Sequence, residues 1–199
     1  IVVEDDKLQR AVDKSLKHAW QVRRSEFDEI LFRHAARCGA DARERVRVRE
    51  VELGEDGAAP RVTAIDAEGA ERHWSPRFIV DATGRDTFLG NRLKTKRRNP
   101  DHASAAIFGH FRNARRDEGE DGGNISIFWF EHGWFWFIPL KDGTTSVGAV
   151  VWPYYMKARN KPLREYFLDT IALSPGLQAR LAEADLVAEP EATGNYSYQ

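Results

Sequence analysis

The sequence is poor in cysteine and in net charge, and it has no long apolar run. Its single cysteine, Cys38, excludes an intrachain disulfide framework and favours a reducing compartment, so we expect a cytoplasmic protein. With 30 basic and 31 acidic residues, the formal net charge of -1 gives no overall field that would attract nucleic acid or anionic lipid. No apolar run approaches the roughly 20 residues of a membrane-spanning helix. We therefore expect neither nucleic-acid nor membrane partners.

Several short catalytic motifs are also missing. The chain contains no G-x-G-x-x-G loop, no G-x-S-x-G nucleophile elbow and no obvious carboxylate pair for acid–base work. His34 and Cys38 lie one helical turn apart but have no third ligand, so we expect a surface histidine, a buried thiol and no metal site. The chain begins at Ile1 rather than at methionine and lacks a signal-peptide pattern, so we expect an excerpt of a longer protein.

Residues 5–39 carry apolar side chains three and four positions apart, which predicts two helices. Ser25 and Asp28 form a candidate capping pair for the second helix, and Gly39 stands where a glycine commonly ends one. The residues that follow are rich in strand and turn signals. They predict a strand at 46–53, a hairpin turning at 68–69 and a short, continuously apolar strand at 77–80.

Beyond residue 92 the composition changes to strands separated by glycine-containing turns. The predicted elements are strands at 104–112, 124–130, 133–140 and 144–152, helices at 163–173 and 177–184, and a final strand within ATGNYSYQ. The pattern predicts the α/β (α+β) class. We expect a partial α/β domain over residues 1–92 and an antiparallel-sheet domain with helices over residues 93–199.

The strand GWFWFIP concentrates aromatic side chains in four consecutive positions. Because residues two apart in a strand point to the same face, Trp134, Trp136 and Ile138 share one side. Phe135 and Phe137 share the other. Two interpretations remain open: one face lines a ligand site while the other packs in a core, or both faces are simply buried between a sheet and helices.

The segment FIVDATGR ends an apolar run at Asp81 and then turns through Gly84. A carboxylate and an unobstructed backbone at the carboxyl end of a buried strand are typical of nucleotide sites in α/β folds. The alternative is a strand-to-helix turn in which Asp81 caps a helix that begins near Thr87. The segment alone does not decide between the two.

An arginine opens the second predicted helix, where the helix dipole is unfavourable for a cation. Arg24 is therefore better placed if it pairs with an anion. It belongs to a pattern Q-V-x-R-x-x-F-D-x-x-L, formed by Gln21, Val22, Arg24, Phe27, Asp28 and Leu31.

Taken together, this pattern and the later D-A-T-G-R resemble flavoprotein monooxygenases of the hydroxybenzoate-hydroxylase fold. The resemblance implies that residues 1–92 form part of an FAD-binding domain, with cofactor contacts at Arg24, Val48, Asp81 and Gly84. The stretch W-x-W-x-I-P is similar to the signature of flavin-dependent (FAD) halogenases. It implies that the chain corresponds to the central portion of that family, with the glycine loop and a catalytic lysine upstream of residue 1.

In that family the activity is halogenation of an electron-rich organic substrate by flavin hydroperoxide and halide. The resemblance implies that Trp134 and Trp136 screen the flavin, so that halide rather than the organic substrate reaches it. Reduced FAD is expected from a partner flavin reductase, and the substrate is a small molecule or is bound to a carrier protein. The alternatives are an FAD-dependent monooxygenase, a geranylgeranyl-reductase-like oxidoreductase, or a non-catalytic module that binds an apolar ligand or a protein. On its own, the chain is expected to be inactive and to bind FAD poorly.

Overall fold

A computed structural model describes residues 21–54, 58–97, 99 and 103–194. The first predicted helix lies largely outside these residues, and so does most of the predicted final strand. The second helix is present as α1, Arg24–Arg37. Within the described ranges, no helix is both long and apolar enough to cross a membrane.

The two ends of α1 differ in how well the sequence predicted them. The Ser25–Asp28 capping pair is wrong, because the helix begins after Arg23 without a side-chain cap and Asp28 is instead bound by Arg24. Gly39 is confirmed as the terminating residue, with φ of 96°. The predicted burial of Cys38 is also wrong: the thiol is exposed, because α1 buries none of its residues.

A small antiparallel sheet follows, in the order β1-β2-β3. Its strands are β1 at Arg47–Glu52, β2 at Arg61–Ile65 and β3 at Glu71–Trp74. The predicted hairpin turn is confirmed: Asp66 accepts hydrogen bonds from the backbone N–H groups of Glu68 and Ala70. Only Val51 and Ala64 are fully buried in this sheet.

The strand predicted at 77–80 is absent, although its sequence is apolar. Phe78 and Val80 are 85% and 87% exposed. A continuously apolar strand is stable when neighbouring strands and helices cover both of its faces, and none of the described residues pairs with this segment. The segment leads into a 3₁₀ turn at Gly84–Asp86 and the short helix α2, Phe88–Arg92.

The second half of the chain forms a six-stranded sheet in which every pairing is antiparallel. The strands follow the order β5-β6-β7-β4-β8, and β9 also pairs with β4. Their bounds are β4 Ala105–Arg112, β5 Ser126–Phe130, β6 Gly133–Pro139, β7 Thr145–Val151, β8 Asp185–Leu186 and β9 Glu191–Thr193. The four strands predicted for this region are confirmed to within two residues at each end.

The described helices that pack on this sheet cover one of its faces. They are α3 at Pro153–Lys157, α4 at Leu163–Ala172 and α5 at Pro175–Arg180. Phe167 of α4 and Leu177 of α5 are fully buried in a cluster with Phe135 and Phe137 of β6. Burying such side chains contributes about 1.5–3 kcal/mol each. The core therefore lies on this side, and the opposite face of the sheet carries the two tryptophans of β6.

Candidate functional site

Strand β6 separates its aromatic side chains by face, as the alternation predicts. Phe135 and Phe137 are completely buried in the core. Trp134, Trp136 and Ile138 are only partly buried and point away from the helices. The rings of Trp134 and Trp136 contact each other edge to face, with centroids 6.4 Å apart. Because the two faces differ in burial, the strand is not equally covered on both sides.

Trp136 is held against the neighbouring strand β7 by two features. Its indole Nε1–H donates a hydrogen bond of 3.1 Å to Oγ of Ser146. Gly148 is its register partner, and a Cβ atom at that position would lie 2.2 Å from Cζ2 of the indole. The six-membered ring therefore lies directly over Gly148. Phe108 of β4 borders the indole, with the ring centroids 6.1 Å apart.

A cavity of about 470 Å³ opens above this surface. Its apolar lining includes Phe108, Trp136 and Val150, and its polar lining includes Ser146 and Arg85. A second cavity, of about 300 Å³, lies beside it. Trp134 lines this second space together with Trp129, Trp152 and Val150. The two tryptophans of the motif thus face adjacent cavities on one side of the sheet.

Asp81 holds the turn between the apolar segment and α2. Oδ1 accepts the backbone N–H of Thr83 at 3.0 Å and its hydroxyl at 2.6 Å, and Oδ2 accepts the N–H of Leu89 at 2.7 Å. These hydrogen bonds, the Thr83 hydroxyl first, hold the pKa of the Asp81 carboxyl below its usual value. The capping interpretation of Asp81 is therefore confirmed, with α2 starting at Phe88.

The predicted cofactor residues are only partly brought together. Val48 and Asp81 line one cavity of about 690 Å³ between β1 and the turn before α2. Gly84 follows in that turn, with φ of 61°, and a Cβ atom added there would have no neighbour within 4 Å. Arg24 does not line this cavity. Its guanidinium binds Asp28 through two contacts of 3.1 Å, and this partner raises the pKa of Arg24.

Arg85, the last residue of D-A-T-G-R, was not singled out from the sequence. It donates a hydrogen bond to the hydroxyl of Thr193 in β9 and lines the same cavity as Trp136. Because 108 positions separate the two partners, no local pattern indicates this contact. Ser146 and Gly148 were also missed, although their alternate positions after the β6–β7 turn place them opposite the tryptophan strand.

Two residues just before α1 contact connecting segments of the large sheet. Arg23 binds the carboxylate of Asp142 in the β6–β7 turn. Gln21 donates from Nε2 to the backbone oxygen of Gly123 at 2.5 Å. Among the described residues, no group of three or more His, Cys, Asp or Glu side chains is arranged to hold a metal ion.

Comparison with known proteins gives consistent matches over most of the chain. A family model described as tryptophan halogenase matches residues 2–179. Flavin-dependent halogenase armH2 of Armillaria mellea is 32% identical over 202 residues, which cover 90% of this chain and 39% of that protein. A 1H-pyrrole-2-carbonyl-[peptidyl-carrier protein] brominase of Pseudoalteromonas luteoviolacea (strain 2ta16) is 29% identical over 191 residues, covering 92% of this chain and 46% of that protein.

Among solved structures, the myxobacterial chondrochloren halogenase CndH, a variant of the FAD-dependent halogenases, is similar with a TM-score of 0.85 and 34% identity. The match covers 92% of this chain and 44% of that one. This chain therefore spans less than half the length of each of these relatives. The mixed helix and antiparallel-sheet architecture of this chain is therefore one that FAD-dependent halogenases share. Within that class, the chain belongs to the tryptophan halogenase family.

Proposed function

We propose that the protein to which this chain belongs is an FAD-dependent halogenase in which Trp134 and Trp136 screen the flavin. The observation that carries the proposal is the division of β6 between two environments. Phe137 is sealed in the core, whereas Trp136 lies recessed over Gly148 in the wall of an open cavity. An aromatic surface that is built into a cavity wall is suited to a flat aromatic ligand.

The chemistry of the lining residues fits FAD. Phe108, Trp136 and Val150 offer an apolar, aromatic wall for a tricyclic ring, and Arg85 and Ser146 offer hydrogen-bond donors for its polar edge. The turn at Gly84 leaves its backbone open for a phosphate. Two N–H groups of Arg24 already donate to Asp28. The proposed role of Arg24 at the pyrophosphate therefore requires that its guanidinium bind the phosphate in addition to Asp28 or in place of it.

When bound, reduced FAD (FADH₂) would supply two electrons and two protons, with which one O₂, one halide ion and one further proton would give hypohalous acid and water. The role of this chain is to keep a bulky organic substrate away from the flavin. Two indole rings side by side occupy the space that a bulky organic substrate needs in order to reach the flavin, whereas a halide ion is small enough to pass. We propose that the oxidised halogen then reaches the organic substrate at a separate site.

We also propose the partners that such an enzyme needs. Reduced FAD comes from a separate flavin reductase, and the substrate is an electron-rich organic molecule that is free or bound to a carrier protein. The similarity to a brominase whose name specifies a peptidyl-carrier-protein substrate supports the carrier-bound form. The single cysteine supports a reducing, cytoplasmic location.

The test is to replace Trp136 by alanine in the halogenase that contains this chain. With reduced FAD, O₂, bromide and a phenol as acceptor, we expect brominated phenol to fall about tenfold or more, which corresponds to a barrier increase of about 1.4 kcal/mol. Peroxide released per reduced FAD consumed should rise, because the screen is opened. Trp74→Ala, in the small sheet away from the cavity, is the matched control and should leave both quantities unchanged.

A stability measurement separates this effect from unfolding. Phe137→Ala should cost about 3–5 kcal/mol of unfolding free energy because it opens a cavity in the core. Trp136→Ala should cost clearly less, since its side chain is only partly buried. A hydroxylated product without halogen from the unmodified enzyme would favour a monooxygenase instead, and turnover without any flavin requirement would contradict the proposal altogether.

A further inference from the structure

The position of Trp136 depends on two residues of β7 that lie two places apart. Gly148 lies under the six-membered ring, and Ser146 accepts the hydrogen bond of the indole nitrogen. Both lie on the face of the sheet that carries the tryptophan, because Trp136 pairs with Gly148 and Ile138, on the same face of β6, pairs with Ser146. The indole is thus held at two separate points along its length.

Gly148 determines how deeply the ring can lie. A Cβ atom there would come within 2.2, 2.4 and 2.6 Å of three ring carbons of Trp136, closer than real Cβ contacts come. Any residue other than glycine would therefore lift the indole away from the sheet and into the cavity of about 470 Å³. The depth of that cavity follows from the absence of a side chain at this one position.

Ser146 determines the direction in which the ring points. An indole has one hydrogen-bond donor and no acceptor, so its 3.1 Å bond to the Ser146 oxygen selects one orientation of the ring about its χ angles. The serine also lines the cavity, and its own proton is not used in accepting the indole bond. The hydroxyl can therefore donate to a bound ligand while it holds the tryptophan.

We infer that Ser146 and Gly148 are positioning residues that set the orientation and the depth of Trp136 in the wall of the flavin site. The functional part of this inference rests on the proposed halogenase activity. Its structural part concerns only this chain. The two parts can therefore be tested separately.

The structural test uses the indole N–H signals of the ¹⁵N-labelled 199-residue chain, with the Trp136 signal identified by its loss in Trp136→Phe. Ser146→Val and Ser146→Thr are the matched pair, since their side chains have nearly the same shape and only threonine keeps the hydroxyl. We expect the Trp136 N–H to exchange with solvent roughly fivefold faster in the valine variant, the effect of losing one hydrogen bond. The threonine variant should restore the slow exchange, and the other indole signals should stay in place.

Gly148→Ala gives the second, independent measurement. The Trp136 signal should shift as the ring is displaced. Gly123→Ala, whose added Cβ atom would have no neighbour within 4 Å, should leave it unchanged. If Gly148→Ala fails to fold, the serine pair alone decides. Equal exchange rates in the valine and threonine variants would overturn the role of Ser146, and an unmoved Trp136 signal in a folded Gly148→Ala would overturn that of Gly148.

The functional test compares the same serine variants in the halogenase. Ser146→Val should raise peroxide release relative to brominated product, and Ser146→Thr should return the ratio toward that of the unmodified enzyme. Absence of bromination by the unmodified enzyme would reject the proposed function and leave the NMR result standing. Bromination with an unchanged peroxide ratio in both variants would reject the positioning role alone.

Discussion

Asp81 caps the start of α2, which is one of the two interpretations that its segment allowed. Its carboxylate accepts three hydrogen bonds from Thr83 and Leu89, so the side chain is turned toward the start of α2. It also lines the cavity that contains Val48. A carboxylate held in this way stiffens the turn in which Gly84 is exposed. The proposed cofactor role of the segment then belongs to its backbone, which Asp81 keeps in place.

Replacing Asp81 by alanine should make the chain less stable and change its response to acid. The folded-state pKa of Asp81 is lowered, chiefly by the Thr83 hydroxyl, so its stabilisation is present above the unfolded pKa of about 4 and is lost as pH falls through the lower folded value. Thermal unfolding followed from pH 7 to pH 2 should show a smaller acid-induced loss of Tm in Asp81→Ala than in the unmodified chain. Asp86→Ala is the control, because the Asp86 carboxylate lies in the same turn and accepts none of these hydrogen bonds. Equal acid dependence of Tm in Asp81→Ala and in the unmodified chain would contradict the prediction.

Helix α1 ends through a backbone motif and not through tertiary packing. The N–H of Gly39 donates to the carbonyl of Ala36, and the N–H of Ala40 donates to that of Ala35. This pair of bonds requires a left-handed residue at Gly39, where φ is 96°. Since α1 buries none of its residues, its boundary depends on local geometry.

Gly39→Ala should therefore lower the unfolding free energy by about 1 kcal/mol, the cost of a left-handed residue that carries a Cβ atom. A side chain at this position meets no neighbour within 4 Å, so backbone strain is the only expected effect. Urea denaturation measures the change. Gly123→Ala is the control, because an added Cβ atom there also has no neighbour within 4 Å and Gly123 has no positive φ. It should lower the unfolding free energy by less than Gly39→Ala does. A larger loss at Gly123 would show that backbone strain at Gly39 is not the cause.

The hairpin of β6 and β7 shows what register adds to a sequence pattern. Alternation assigns Trp136 to a face, but only the pairing with β7 sets its indole over Gly148. A slip of β6 by one residue would move Trp136 to the other face of the sheet, away from Gly148, and would break the Ser146 hydrogen bond. The aromatic strand and the S-V-G segment are therefore one structural unit.

Long-range contacts among the described residues connect the first half of the chain with the second. Arg85 binds Thr193, Arg23 binds Asp142, and Gln21 binds the backbone of Gly123. Residues 78–80 are apolar and pair with no strand in the described part of the chain. The boundary near residue 92 between an FAD-binding portion and an antiparallel-sheet portion stays a prediction.

We expect the 199-residue chain by itself to bind FAD poorly. The segment that leads to Asp81 and Gly84 exposes Phe78 and Val80 and pairs with no described strand, so the proposed cofactor surface on that side is not held by a sheet. Flavin absorbance after desalting of the chain with added FAD should correspond to far less than one FAD per chain. Riboflavin is the control for non-specific retention of the ring. A stoichiometric yellow complex would contradict this expectation.

The sequence by itself determined the elements whose signals are local. Alternation identified the faces of β6, glycine identified the end of α1, and the spacing of apolar residues identified the strands of the large sheet, because each depends on residues that are close along the chain. It failed at residues 77–80, whose apolar pattern requires neighbouring strands, and at Cys38, whose helix buries none of its residues against the described part of the chain. Only the tertiary structure decided that Trp136 lies over Gly148 with its nitrogen on Ser146, and that Arg85 reaches Thr193. These contacts join residues from separate strands and loops, and their geometry is set by strand register and packing.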